Sequence, residues 1–386
     1  MLFLSSGGQD LRGGPVRKSM LLVAGALVLA SLSLVPAPLE AQTGSNPPAP
    51  ASRPRPRPWK FALSGDSRNC GDVVMPGIAA GVKQSGAIFY WHLGDFRKIG
   101  SVDEDIAHQP EHLSTPLALP DYQALAWKDF LDNQIAPFGA LRVYLGIGNH
   151  ETIPPKTLAE FVIQFARWID APNLRAQRLQ DDPTDRQAKT YYHWSAGGVD
   201  FINLDNSLES QFDPAQIDWF EKTLASDSSS PRIRAIVVGM HEALPESISK
   251  DHSMNQSPGG TETGRRVYAD LLQAQNTAHK HVYVLASHSH FFMDSVYNTS
   301  YWRLHGGVLP GWIVGTAGAE RYALPPEASS ASQTNVYGFL TGAVHPDGQI
   351  DFDFQQVNES DIPAAVTERY TPEFVHWCFS QNSRAQ

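Results

Sequence analysis

Short apolar runs recur along this chain and stop at residues able to bind a metal or carry a proton. Residues 61–65 lead to Asp66, and residues 88–93 lead to Gly94-Asp95. Residues 141–147 lead to Gly148-Asn149-His150-Glu151, residues 233–239 to Met240-His241, and residues 282–286 to Ser287-His288-Ser289-His290. Runs this short, apolar nearly throughout and bounded by turn residues, predict strands buried on both faces. Helical spacing lies between them: Leu158, Phe161, Val162, Phe165 and Ile169 mark one helix face. Further helices are predicted at residues 76–84, 121–133, 214–224 and 264–274. Residues 191–194 and 199–204 predict a hairpin turning at Gly197-Gly198. Residues 312–314, 337–344 and 350–357 read as antiparallel strands, the last two joined through Pro346-Asp347-Gly348. Residues 97–121 and 246–262, rich in Pro or in Ser and Gly, read as irregular pocket walls. The alternation specifies an α/β fold with antiparallel edges. In open α/β sheets functional groups collect at the carboxyl ends of strands, so these strand ends describe one convergent site.

The N-terminus adds a different pattern. Arg12, Arg17 and Lys18 precede an apolar stretch at residues 20–35, and small residues follow up to Ala41. This predicts a signal peptide over 1–41, too short in its apolar part to stay as a membrane span. Residues 42–58 repeat Pro with Ser, Ala and Arg and predict an extended linker, leaving 59–386 as the folded domain. A secreted or periplasmic location follows, with no stable membrane anchor. The chain has 386 residues and a net charge of −10, and without residues 1–41 it would carry −11. No basic stripe crosses the body, which argues against a nucleic-acid polymer as partner. An acidic protein still accepts a phosphate ester if metals supply the local positive charge. The two cysteines, Cys70 and Cys378, leave three readings open: a disulfide, two free thiols, or Cys70 as a metal ligand.

The order Gly65-Asp66-Ser67-Arg68, Gly94-Asp95, Gly148-Asn149-His150-Glu151, Met240-His241 and Ser287-His288-Ser289-His290 resembles the calcineurin-like metallophosphoesterase superfamily. Within it the likeness is to the purple-acid-phosphatase-like branch, with an Asp-x-Arg first motif, and it spans residues 59–357. The resemblance implies a four-layer α-β-β-α sandwich of two mixed sheets. It also implies two divalent or trivalent metal ions (Fe, Zn or Mn) on either side of Asp95. Asn149, His241 and His288 would complete one site, and Asp66 and His290 the other. A bridging water would be the nucleophile and His150 the proton donor. The expected activity is hydrolysis of small-molecule phosphate esters, monoesters favoured. The alternative is a non-catalytic or single-metal binding protein on the same fold.

Two positions depart from the pattern. Arg68 stands where the first motif carries His, and arginine offers only donors. The first metal site is therefore expected to be the weaker. Arg68 is read either as a fork donor to a phosphate oxygen or as a salt-bridge partner of Asp72. Lys98 stands where purple acid phosphatases place a tyrosine, which argues against a ferric–tyrosinate centre. Glu151 and Glu242 are read as orienting groups or solvated acids, His92 as a core histidine, and His193 and His305 as packing, surface or pocket-lining residues.

Overall fold

The computed structural model describes residues 58–384. The expected signal peptide, and the linker apart from its last residue, lie outside them. The strands are β1 (Trp59–Ser64), β2 (Ala87–His92), β3 (Arg142–Leu145), β4 (Tyr192–Ala196), β5 (Val199–Asn203), β6 (Ala235–Gly239), β7 (His281–Ala286), β8 (Phe292–Asp294), β9 (Gly311–Val314), β10 (Tyr337–Val344) and β11 (Ile350–Val357).

Alternation inside the apolar runs sends side chains into two cores. In β6, Ala235 and Val237 join one core while Ile236 and Val238 join another. In β7, Tyr283 and Leu285 divide from Val282 and Val284 in the same way. Side chains two apart share a face, so each of these strands is covered on both sides. The first core fills the space between two sheets and continues under helix Gly71–Ser85. Phe61 of β1 meets Phe201 of β5 with ring centroids 4.9 Å apart. Trp91 of β2 donates its indole N–H to Asn203 Oδ1 of β5 at 3.0 Å, which gives this buried donor a partner. The second core lies outside the second sheet, where helices Pro214–Ser229 and Pro258–Asn276 supply Ile217, Phe220, Val267 and Leu271. Helix Gly71–Ser85 covers the opposite face of the first sheet. The result is an α-β-β-α sandwich of two mixed sheets.

The first sheet runs β11-β10-β1-β2-β3 and the second β4-β5-β6-β7-β9-β8. β1, β2 and β3 are parallel, as are β5, β6, β7 and β9. Every candidate site residue therefore follows the carboxyl end of a strand from one of these parallel blocks.

Several elements differ from expectation. The first helix begins five residues earlier, at Gly71, and Pro76 lies inside it rather than in its first turn. The single helix expected at 158–169 breaks at Phe165 (φ −102°, ψ 11°) into Leu158–Gln164 and Ala166–Ile169. The helix expected at 264–274 starts at Pro258, where the Ser257 side chain accepts a hydrogen bond from the Gly260 N–H and caps it. Only part of the expected loop 246–262 is therefore loop. β9 runs parallel to β7 and is antiparallel only to β8. Residues 97–121 contain two short helices, Glu104–Ala107 and Pro110–Leu113. The first is tied to buried Arg97 through Asp105, a polar contact that leaves no hydrophobic period to read. β8 and the helices Pro172–Asp181, Ala364–Tyr370 and Pro372–Ser380 had no reading from sequence.

The cysteines resolve to the first of their open readings. Cys70 and Cys378 are joined, with Cα atoms 6.0 Å apart. The bond ties helix Pro372–Ser380 to the loop that carries Arg68.

Candidate metal centre

Five loops converge at the carboxyl ends of β1, β2, β3, β6 and β7. Three of the residues they deliver have left-handed backbone: Asp66 and Asp95 at φ 60°, His288 at φ 65°. Such a conformation costs a non-glycine residue of order 1–3 kcal/mol, and it persists where surrounding contacts impose it. Here those contacts can be named. Buried Glu151 accepts hydrogen bonds from the N–H groups of Asp95, Phe96 and Gly148, each at 2.8 Å, and so ties the β2 and β3 loops together. Gly148 packs so closely that a Cβ there would lie 2.3 Å from Asp95 Oδ1. Asp66 Oδ2 accepts from the Ser287 hydroxyl and, at 2.6 Å, from the His288 N–H, joining the β1 and β7 loops across the two sheets. Asn206, buried past the end of β5, exchanges two hydrogen bonds with the Glu242 backbone and fixes the turn that carries His241.

One half of the centre collects lone pairs. His241 Nδ1 donates to the Leu93 carbonyl at 3.0 Å, so Nε2 is the ring atom left to take a cation or a proton. That Nε2 lies 3.1 Å from Asn149 Oδ1, 3.1 Å from His288 Nδ1 and 3.3 Å from Asp95 Oδ1. The candidate ligand atoms of Asp95, His241 and His288 all fall within 4.8 Å of one another. Acceptors crowded in this way repel unless a cation or a proton lies among them. Burial would lower the His241 pKa, but the Asp95 carboxylate outweighs burial and pushes it up to about 10. Burial would likewise raise Asp95, yet His241, His150 and Arg68 hold its carboxyl well below the usual range. The ring of His288 is driven well below its ordinary value, by burial and by the charge of His241. A fixed negative charge with one carboxylate oxygen, one amide oxygen and two imidazoles is a donor set that fits a divalent transition metal.

The other half is built differently. Arg68, with a mostly buried side chain, directs Nη1 to His150 Nε2 at 2.7 Å and Nη2 to His290 Nε2 at 2.8 Å. Its Nε lies 3.5 Å from Asp95 Oδ2. His150 Nδ1 donates to the Lys98 carbonyl at 2.7 Å and His290 Nδ1 to the Glu320 carbonyl at 2.6 Å. Both rings thus present Nε2 lone pairs to the guanidinium. Burial, then the Arg68 charge, lowers the His290 pKa. Asp66 Oδ1 sits 3.3 Å from His290 Nε2. The alternative partner expected for Arg68 is engaged elsewhere, because Asp72 pairs with Arg97.

Other residues named from sequence separate from the centre. His92 is fully buried, bonded to Ser67 Oγ at 2.9 Å, and burial lowers its pKa to about 3. His193 lies between Asp181 and Asp200, at 2.7 Å from each. His305 stacks on Tyr301. Two residues at the centre had no reading from sequence. Tyr322 stacks on the His290 ring with centroids 4.0 Å apart, and His252 lies between Tyr322 and His288, at 5.1 and 5.3 Å. Neither follows a strand end, and a lone histidine in a Ser-rich loop carries no local signal. A cavity of about 170 Å³ opens beside Arg68, walled by Lys98, Tyr322, Trp377 and Arg384.

No protein-family model matches the chain, and no curated protein matches it. Among solved structures it is similar to one described as "Structure of PhoD", with 14% identity and a TM-score of 0.47, covering 81% of this chain and 73% of that one.

Proposed function

We propose that this protein is a secreted metal-dependent phosphoesterase of the calcineurin-like type, acting on small phosphate monoesters. The observation that carries this reading is the acceptor cluster: Asp95, Asn149, His241 and His288 aim lone pairs at one point, with atoms 3.1–3.3 Å apart around His241 Nε2. These four residues would hold the metal. A cation bound there supplies Lewis-acid activation of a water and neutralises charge on a phosphoryl group. The chain supplies the rest. Glu151 holds the Asp95 and Gly148 backbones in register, and the Leu93 carbonyl fixes the His241 tautomer. Arg68 adds a fork donor on the opposite side, where a phosphate oxygen would compete for its Nη1. Once released from Arg68, His150 Nε2 is free to carry a proton toward the leaving oxygen.

A cavity of about 170 Å³ opens beside Arg68 and His290, where a small phosphate ester would lie against the guanidinium. Export is supported by the basic-then-apolar N-terminus and by the Cys70–Cys378 bond, since disulfides persist outside the reducing cytosol. Among the described residues no helix is long and apolar enough to cross a membrane. The test is nitrophenol release from nitrophenyl phosphate and from its bis-ester. Turnover of the monoester that is abolished by chelator and restored by Mn, Zn, Fe or Co is the expected result. No turnover of either ester with any of these metals would defeat the proposal.

A further inference from the structure

We infer that the guanidinium of Arg68 is the second cation of this centre, so that the protein works with a single metal ion, held by Asp95, Asn149, His241 and His288. This rests on the metal-centre reading above and changes what stands opposite the metal.

The first reason is occupancy of lone pairs. A pair of metals flanking Asp95 would need Asp66 and His290 for the ion on the Arg68 side. His290 has one free lone pair, because its Nδ1–H is committed to the Glu320 carbonyl. That lone pair already accepts from Arg68 Nη2 at 2.8 Å. The same holds for His150, whose Nδ1–H goes to the Lys98 carbonyl and whose Nε2 accepts from Arg68 Nη1. A nitrogen lone pair serves an N–H or a metal, never both.

The second reason is position. Nε of the same guanidinium lies 3.5 Å from Asp95 Oδ2, the carboxylate oxygen turned away from His241. Asp95 thus offers Oδ1 to the acceptor cluster and Oδ2 to Arg68, and bridges two positive charges of which the chain itself provides one. The guanidinium cannot lose its charge at any working pH and is more weakly hydrated than an ammonium, so it tolerates this burial.

The third reason is charge balance. Arg68 with one divalent ion leaves a single surplus positive charge over Asp66 and Asp95, which partly neutralises an incoming phosphate ester. A second divalent ion beside Arg68 would place like charges within a few ångströms in a buried site. Arg68 also faces the cavity that would receive the substrate, which a ligand shell of Asp66 and His290 alone would leave without a fork donor.

The probe is Mn(II). Chelator-stripped protein is loaded with excess Mn(II), desalted, and its metal content measured by mass spectrometry beside its paramagnetic resonance spectrum. Wild type is expected to hold one ion per chain with the six-line signal of an isolated Mn(II). Arg68→His is expected to hold two, with the broadened signal of a coupled pair. The wild-type ion is expected to be lost in His288→Ala and kept in His290→Ala. Two ions per chain in wild type would overturn the inference and leave the phosphoesterase reading standing. A single ion lost in His290→Ala but kept in His288→Ala would place it on the Arg68 side and overturn it as well. No ion in wild type would overturn both. The wild-type count requires no variant to fold.

Discussion

Two buried carboxylate nests grow from the same two loops and differ in where their positive charge comes from. Asp66 and Asp72 follow β1, and Asp95 and Arg97 follow β2. Around Arg97 the chain provides the cation. Its guanidinium contacts Asp72, Asp129 and Asp105, with Asp103 at 3.9 Å. Tyr370 and Tyr122 donate hydroxyls to Asp72 and Asp103, each at 2.6 Å, and Gln109 adds an amide N–H to Asp129. The carboxylates still outnumber the charge that holds them, and burial pushes Asp72 up to about 6 even against the pull of Arg97. Around His241 Nε2 no arginine or lysine side chain of the described residues stands within the set, and only a proton or a metal can fill it. Lone pairs of Asn149, His288 and Asp95 face one another instead. A cluster of acids is thus not in itself a metal site. Acceptors that converge on one point with no side-chain cation among them are the better sign.

The sharpest way to break this contrast is to remove one member of each nest. His241→Ala should lower ester hydrolysis by about 10³-fold, the scale of losing a principal electrostatic stabiliser, and abolish metal retention. The melting temperature of the chelator-treated protein should move by only a few degrees. Unchanged hydrolysis would mean that the acceptor cluster is not the catalytic centre. Arg97→Met should do the reverse, costing about 3–5 kcal/mol in urea unfolding because several carboxylates lose the buried cation they share. A loss below about 1 kcal/mol would erase the distinction between the nests.

Glu151 sharpens the comparison, because its carboxylate serves the metal side while binding only backbone. Burial, then the charge of Asp95, pushes its pKa up to about 8. Glu151→Gln replaces an acceptor with a donor facing three N–H groups and should weaken metal affinity about 10–100-fold, read by competition with a chromophoric chelator. Equal affinity would show that the two loops hold their register without it. The smallest effect is expected at His193, where a proton is the cation between Asp181 and Asp200 and hydrogen bonds to both outweigh burial to push the pKa up to about 10. A raised histidine pKa stabilises fully below its ordinary value of 6.5, and that stability is lost as pH rises toward 10. The stability gap between wild type and His193→Gln should therefore be widest below pH 6.5 and close near pH 10. A gap that widens with pH would contradict the charged His193.

The strand ends were legible in the sequence because strands buried on both faces leave continuous apolar runs, and each run stops where a candidate site residue begins. Asp66, Asp95, Asn149, His150, His241, His288 and His290 could all be named in this way, and the structure brings them to one place. The hairpin at Gly197-Gly198 was legible because both glycines have positive φ, 59° and 88°, as its tight turn requires. What stayed hidden is held by long-range polar contact. Tyr322 and His252 reach the centre by stacking, not by following a strand. The short helix Glu104–Ala107 is held to Arg97 through Asp105, and its polar residues show no period. The break at Phe165 and the early start at Pro258 depend on local packing and a serine cap that apolar spacing does not reveal. Arg68 was legible as a departure, but its engagement with His150 and His290 belongs to residues 82 and 222 positions away.

The most direct measurement is anomalous diffraction from crystals of the protein soaked with Zn(II). The expected result is a strong peak about 2.0–2.2 Å from Asp95 Oδ1, Asn149 Oδ1, His241 Nε2 and His288 Nδ1, the bond lengths of zinc to oxygen and nitrogen ligands. An empty map at that point, with zinc bound elsewhere or not at all, would contradict the metal centre and the chemistry assigned to it.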